Sequence, residues 1–167
     1  IGSICVSLFY NISVFAQDIP YYESPFAWTE IKPGLHKASY FFKTNNPVKT
    51  EVILFKIDPA FFSVKVVMAK DIGVNLSDIR LLTKSIGGIL GINASFFDTS
   101  GNALGLIKKD GILIQKTHAG GKTLSGIFYI ANNAPKITHR NDEFPPNIDI
   151  AVQSGPRLVV NHQPITL

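Results

Sequence analysis

The sequence predicts an α+β fold, mostly β-strands in a mixed sheet, with one clear helix. Stretches rich in β-branched and aromatic residues recur along the chain between Gly, Pro and Asn turns, which is typical of strands. A helical spacing of apolar residues occurs clearly in one place. Of the 167 residues, 46% are hydrophobic and 17% are charged, which is enough for a core and favours one domain.

The first 16 residues predict a secretory signal peptide. They carry no charge and end in Val14-Phe15-Ala16, a signal-peptidase site before the polar Gln17-Asp18. A membrane anchor is the alternative, although the run is short for a span of about 20 residues. We therefore expect an exported protein, periplasmic or extracellular, with no stable membrane span after cleavage. Cys5, the single cysteine, lies in this leader, so the mature chain would have no disulfide.

The strands of the first half follow a lead-in segment, residues 17–34, which is rich in Pro and aromatic residues. Strands are predicted at 38–43, 51–58 and 62–70, where β-branched and aromatic residues dominate. Pro59 marks the turn between the last two. We expect all three to be strands of the core.

The helix is predicted over residues 76–86. Its apolar face is formed by Leu76, Ile79, Leu82 and Ile86, at spacings typical of a helix. Asn75 is the predicted N-cap, and Gly87-Gly88 ends the helix. The apolar run Ile89–Ile92 is then expected to be a short buried strand.

The second half is predicted to be β again. Residues 105–115 form a hairpin whose tip is Asp110-Gly111, a pair that tolerates the positive φ angles of a tight turn. Ser125–Ala131 is the next strand. Asp149–Gln153 and Arg157–Val160 are predicted to pair with each other as the last two strands.

Several functional classes are disfavoured by the sequence. The net charge is +4, but Lys and Arg are scattered, so we expect no nucleic-acid partner. The four histidines have no metal-ligand spacing, so we expect no metal, and no cofactor motif is evident. The segment His118–Thr123 lacks the first Gly of a phosphate-binding P-loop, and a strand follows it. Lys122 and its neighbouring amides could still meet an anion.

The stretch "GGILGINASFFDTSGNALG", residues 87–105, allows two interpretations. In the structural one, Asn93 caps a strand end, Phe96 and Phe97 are core residues, and Asp98 stabilises the turn at Gly101. In the functional one, a buried strand delivers fixed polar groups to a sheet edge, where sites are often built. The residues alone do not decide between them.

The same stretch resembles the signature of the phosphodiester glycosidase family: Asn, small residues, Phe-Phe-Asp, a Gly turn and a Gly-containing strand before a hairpin. A second segment, "AVQSGPRLVVNHQPI", resembles a downstream segment of the family, in which many members have Gly where this chain has His162. The resemblance covers residues 28–167. Members continue beyond such a segment with an Arg-bearing strand and an Asp-Gly-rich segment. We therefore expect 35–167 to be the N-terminal part of such a domain, incomplete in its sheet and its site.

The resemblance implies a hydrolase that cleaves the glycosidic bond of a sugar-1-phosphodiester. It implies catalytic roles for Asn93 and Asp98. The substrate-binding residues that it implies are Phe97, Gly105, Ser154, Gly155 and Arg157. The expected partner is a carbohydrate or a sugar phosphodiester. The alternatives are a non-catalytic envelope module that binds an anionic glycan and a different hydrolase on the same scaffold, one acting for example on exopolysaccharide.

Overall fold

A computed structural model describes residues 27–42 and 50–165. The predicted signal peptide, residues 1–16, lies outside them. The chain consists of two compact units, and the boundary between them in the sequence lies between Ser63 and Val64. The single domain expected over 35–167 stays a prediction. Within the described residues, no helix is long and apolar enough to cross a bilayer.

The first unit contains an antiparallel sheet of three described strands. They are β1 (Thr29–Lys32), β2 (Leu35–Phe42) and β3 (Thr50–Ile57), in the order β1-β2-β3. Strand β1 belongs to the segment that was predicted to be a lead-in. Gly34 forms the β1–β2 turn at φ 78°, a conformation that favours glycine. Strands β2 and β3 correspond to the first two predicted strands.

The second unit is built on a five-stranded antiparallel sheet. Its strands are β4 (Ile107–Lys109), β5 (Ile112–Gln115), β6 (Gly126–Ala131), β7 (Ala134–His139) and β8 (Ile150–Ser154). Their spatial order is β5-β4-β8-β6-β7. The hairpin predicted at Asp110-Gly111 is confirmed: it joins β4 to β5, and both turn residues have positive φ, 50° and 76°. The α+β, mostly β class is confirmed, but the predicted mixed sheet is not, because every pairing between the described strands is antiparallel.

This sheet buries residues on both of its faces. On one face the core residues are Val66, Met68, Ala94, Ile107, Ile150 and Val152. On the other they are Leu106, Ile127, Tyr129, Ala131, Ile148 and Ala151, with Phe144 packed against them. Successive residues of β8 therefore alternate between two apolar layers, as the two-residue period of a strand requires.

The helix is shorter than predicted. Helix α1 runs from Ile79 to Ser85, and its N-cap is Asp78, whose carboxylate accepts a hydrogen bond from the backbone N–H of Leu81 at 2.8 Å. Asn75 was the wrong N-cap, because a carboxylate three residues later satisfies the first turn. Leu76 lies before the helix and is exposed, whereas Leu82 is fully buried.

Two apolar runs predicted as strands are not strands. Residues 62–68 have neither strand nor helix conformation, and a 3-10 turn follows at Ala69–Ile72. Val66 and Met68 are buried because they pack on the face of the sheet, not because they join a ladder. The run Ile89–Ile92 has no strand conformation either, and both of its terminal Ile side chains are largely exposed. Apolar composition therefore predicts burial more directly than it predicts pairing with another strand, and in the short run Ile89–Ile92 it predicted neither.

The predicted pairing of the last two strands is wrong. Both edges of β8 are already occupied, by β4 and by β6. Strand β9 (Val159–Val160) instead pairs with β10 (Gln163–Pro164) across an Asn161-His162 turn with φ angles of 49° and 63°. Strand β7 and the Asn132-Asn133 turn before it were not predicted.

Candidate functional site

Four chain segments meet where strand β6 begins. Gly126, its first residue, lies opposite His139 at the end of β7 and opposite Ser154 at the end of β8. We call this region the Gly126 end of the sheet. It comprises Gly105-Leu106, the loop His118–Ser125, His139–Asp142 and Gln153–Arg157.

Gln153 holds this end together. It is fully buried on β8, and its side chain makes four hydrogen bonds to backbone groups of two other segments. Its Oε1 accepts from the N–H groups of Leu106 at 2.9 Å and His118 at 2.8 Å. Its Nε2 donates to the carbonyls of His118 at 2.9 Å and Leu124 at 2.7 Å. Both ends of the amide are satisfied, so one side chain fixes the start of β4 and both ends of the loop.

Two glycines permit the close packing here. A Cβ on Gly105 would lie 2.9 Å from the Cβ of Gln153, and a Cβ on Gly126 would lie 2.6 Å from the carbonyl oxygen of Gly155. Real Cβ atoms do not approach so closely. By contrast, a Cβ on Gly155 would meet nothing within 4 Å. The space beside the Gly155 Cα is therefore open.

Arg140 also holds the loop His118–Ser125, through three hydrogen bonds to its carbonyl groups. Its Nη1 donates to the carbonyls of Gly120 at 2.8 Å and Leu124 at 3.0 Å, and its Nη2 donates to the carbonyl of Gly121 at 2.6 Å. Its Nε is buried without a partner among the described residues. Because the loop carbonyls face Arg140, the loop has a fixed shape, and Lys122 at its tip is exposed.

Arg157 and Asp142 form a loose ion pair at the same end, with 3.8 Å between Nη1 and Oδ2. The same Oδ2 accepts hydrogen bonds from the His139 N–H and the Thr138 hydroxyl, both at 2.8 Å. The His139 N–H, then the Thr138 hydroxyl and to a lesser degree Arg157, lower the pKa of Asp142. This carboxylate is therefore ionised at neutral pH and cannot serve there as an acid.

Asp98 organises its own loop. Its Oδ1 accepts from the N–H groups of Ser100 at 2.9 Å and Asn102 at 2.8 Å, and its Oδ2 accepts from the Asn102 side-chain amide at 3.1 Å. The hydrogen bonds from Asn102 lower the pKa of Asp98 most, and Ser100 and Gly101 contribute. Gly101 completes the turn at φ 81°. The structural interpretation of residues 87–105 is therefore confirmed for Asp98, which stabilises the turn at Gly101.

The Asp98 hydrogen bonds predict a pH-dependent stability. A lowered folded-state pKa adds stability above the unfolded value, and this is lost as the pH falls through the folded value. We expect Asp98→Asn to lower the urea midpoint at pH 7 and to lower it less at pH 2, because the wild-type carboxyl gains a proton and loses its advantage as the pH falls. Asp149→Asn, at an exposed position, is the control. An equal loss for Asp98→Asn at both pH values would contradict the assignment.

Asn93 and the two aromatic residues stand at the surface of this segment. Ala94, next to Asn93, belongs to the core, but Asn93 itself is exposed. Phe96 and Phe97 are about half exposed, at 47% and 53%, so the interpretation that placed them in the core is wrong. Phe97 pairs with Ala103 across the loop as an isolated bridge.

The structure thus groups the predicted site residues into two sets. Gly105, Ser154, Gly155 and Arg157 lie together at the Gly126 end. Asn93, Phe97 and Asp98 lie on the preceding loop, and no hydrogen bond or ion pair between described residues joins Asn93 or Asp98 to Ser154–Arg157. Gln153, Arg140 and Asp142 were not predicted.

Comparison of the chain with protein-family models, with curated proteins and with solved structures finds no match. A function must therefore be inferred from the residues themselves. Over residues 27–42 and 50–165, no group of three or more His, Cys, Asp or Glu side chains could hold a metal ion. The groups available for binding or catalysis in these regions are guanidinium groups, backbone amides and ionised carboxylates.

Proposed function

We propose that the chain belongs to an exported hydrolase that cleaves the glycosidic bond of a sugar-1-phosphodiester, and that the Gly126 end of the sheet binds the phosphate. One observation carries the proposal. The resemblance implied substrate contacts at Gly105 and at Ser154–Arg157, and the Gln153–Leu106 hydrogen bond brings these segments together across 47 residues of sequence. A second, smaller observation supports the proposal. His162, where members of the phosphodiester glycosidase family often have Gly, has a φ of 63°, which glycine adopts more easily.

Three features at this end suit a phosphodiester. Arg157 is held by Asp142 only at 3.8 Å, so its guanidinium keeps donors for a bidentate contact to phosphate. The open space at Gly155 lets a ligand approach the backbone closely. Lys122 is exposed on the loop that Gln153 and Arg140 hold in place, where it adds positive charge.

The reaction requires little protonation of the leaving group by an acid. The C1–O bond breaks with its electron pair going to the phosphate, and water supplies the hydroxyl that C1 gains and a proton. Phosphate is a good leaving group, so stabilising its charge matters more than protonating it. The lowered pKa values of Asp142 and Asp98 keep both carboxylates ionised at neutral pH, which suits groups that face a positively charged sugar and does not favour them as bases. In this scheme Asn93 binds the sugar or phosphate, Phe97 stacks on the sugar ring, and Asp98 orients the loop.

The proposal predicts where the bond breaks. In the full-length protein we expect a panel of sugar-1-phosphodiesters to yield phosphomonoester by ³¹P NMR, and in H₂¹⁸O the label should enter the sugar and not the phosphate. Arg157→Ala should lower kcat/KM at least tenfold because it removes a phosphate contact, whereas Arg80→Ala, at an exposed site on α1, should not. Label in the phosphate would show P–O cleavage and would contradict the glycosidase assignment.

A non-catalytic module that binds an anionic glycan is the second candidate. It is favoured by Asp98, whose carboxylate oxygens are both engaged by its own loop. Such a module would bind the same phosphodiesters and release no phosphomonoester. Binding that depends on Arg157, without turnover by the full-length protein, would select this function.

A further inference from the structure

Asp142 is the one carboxylate in the described segments that form the Gly126 end of the sheet. The positive charges of the same segments belong to Lys122, Arg140 and Arg157. Positive charge attracts a phosphate to this end, and a carboxylate opposes it. The opposition grows with the charge of the anion, because the Coulomb energy is proportional to the product of the two charges. Asp142 therefore acts differently on anions of different charge.

The carboxylate of Asp142 is held by its own turn more closely than by Arg157. Its Oδ2 accepts hydrogen bonds from the Thr138 hydroxyl and the His139 N–H at 2.8 Å, whereas Nη1 of Arg157 is 3.8 Å away. The His139 N–H, followed by the Thr138 hydroxyl, lowers the pKa of this carboxyl, so its charge is present at neutral pH. The side chain of Asp142 is half exposed. Its charge therefore acts on a ligand that approaches from the solvent.

The guanidinium of Arg157 lies beside this charge. A Cβ on Gly126 would lie 3.6 Å from Cγ of Arg157, so the stem of the side chain passes over the first residue of β6. Between described residues, no hydrogen bond involves the guanidinium, and its ion pair with Asp142 is loose. A phosphate oxygen that accepts from it lies about 2.8 Å from a guanidinium nitrogen. The phosphate and the carboxylate of Asp142 would then contact the same guanidinium.

We propose that Asp142 is a specificity-determining residue, which weakens the binding of a phosphomonoester more than that of a phosphodiester. The inference rests on the proposed function, because it takes the Gly126 end to be the phosphate site. A diester carries one negative charge, whereas a monoester, whose second pKa is about 6, carries nearly two at about pH 8. Asp142 repels both charges of the monoester. Hydrolysis converts a diester into a monoester, so Asp142 favours release of the product over loss of the substrate.

Two small probes that differ by one charge test this role. They are dimethyl phosphate, a diester, and methyl phosphate, a monoester. Amide shifts of Gly155 and Arg157 in the ¹⁵N-labelled 167-residue chain, at about pH 8 and low salt, give the Kd of each probe. We expect Asp142→Asn to lower the Kd of methyl phosphate at least threefold more than that of dimethyl phosphate. The Asn side-chain oxygen still accepts the two hydrogen bonds of the turn, so the charge is what the substitution removes.

Two variants and the salt concentration separate charge from structure. Asp149→Asn removes an equal charge just before β8, at the end of that strand away from Ser154, and should change the ratio of the two Kd values less than twofold. Thr138→Val removes one hydrogen bond to Asp142 and keeps the charge, so it should also leave the ratio within twofold. Raising the salt from about 0.01 M to about 1 M shortens the Debye length from about 30 Å to about 3 Å, so the effect of Asp142→Asn should shrink.

The outcomes distinguish this inference from the proposed function. If Asp142→Asn tightens both probes equally, or if Thr138→Val changes the ratio as much, the role of Asp142 is overturned. The phosphate site itself would still stand, provided that Arg157→Ala abolishes the binding of dimethyl phosphate. If neither probe shifts the amides of the Gly126 end, the phosphate site is wrong, and the role of Asp142 is overturned with it. Amide spectra and thermal melts show that each variant folds.

Discussion

Replacing Gln153 by Leu is expected to lower the free energy of unfolding by about 2–4 kcal/mol, because a buried donor or acceptor left without a partner costs about 1–3 kcal/mol and a partly buried one costs less. The change leaves the buried N–H of Leu106 and the partly buried N–H and carbonyl of His118 without a partner, while Leu124 keeps its bond from Arg140. Domains are stable by only about 5–15 kcal/mol, so the loss is large. Urea unfolding followed by fluorescence measures it.

Gln163→Leu is the matched control, since Gln163 on β10 is exposed, and its change should stay within about 0.5 kcal/mol. Hydrogen exchange separates a local effect from a global one. In the Gln153→Leu protein, the amides of Leu106 and His118 should exchange faster relative to the β6 amides. If Gln153→Leu is as mild as Gln163→Leu, Gln153 does not hold the Gly126 end together.

The second large effect is expected from Gly126→Ala. The new Cβ would stand 2.6 Å from the carbonyl oxygen of Gly155, a backbone atom that cannot rotate away. Relief requires moving β6 from β8 or displacing the turn that carries Arg157. Overpacking of this kind costs about 1–3 kcal/mol, and we expect the thermal midpoint to fall accordingly. Ligand binding should weaken beyond the loss of stability, because Arg157 moves.

Gly155→Ala is the contrasting substitution, because it changes the other residue of the Gly126–Gly155 contact. A Cβ at Gly155 meets nothing within 4 Å, so folding stability should be nearly unchanged. Binding of a phosphodiester should nevertheless weaken, since the methyl group fills the open space beside the backbone. Equal stability of the Gly126→Ala and wild-type proteins would contradict the close packing of β6 against the 154–157 turn.

The fold was predictable where local chemistry decides it. Asp110-Gly111 marks a turn because both residues accept a positive φ, and the strands around it follow. Asn132-Asn133 forms an equivalent turn, but Pro135 in the strand that follows is atypical of a strand. It is accommodated because β7 is an edge, and edge position is a tertiary property. Val66 and Met68 illustrate the reverse case, in which burial came without strand pairing.

The site was predictable only in part for the same reason. A resemblance that involves contiguous residues singled out Gly105, Ser154, Gly155 and Arg157 as candidates, and their role in binding stays a prediction. Gln153 could not be singled out, because a Gln in a strand usually faces solvent, and its four partners lie 29 to 47 residues away. Arg140 and Asp142 act through loop carbonyls and through the turn after β7, and no short pattern marks such contacts.

The most direct test of the proposed phosphate site is a titration of the ¹⁵N-labelled chain with a sugar-1-phosphodiester, followed by amide chemical shifts. Our account predicts saturable changes at Gly105, at Ser154–Arg157 and in the His118–Ser125 loop, with none along β5, and it predicts their loss in Arg157→Ala. Unchanged shifts at the Gly126 end, or changes confined to other parts of the chain, would contradict it.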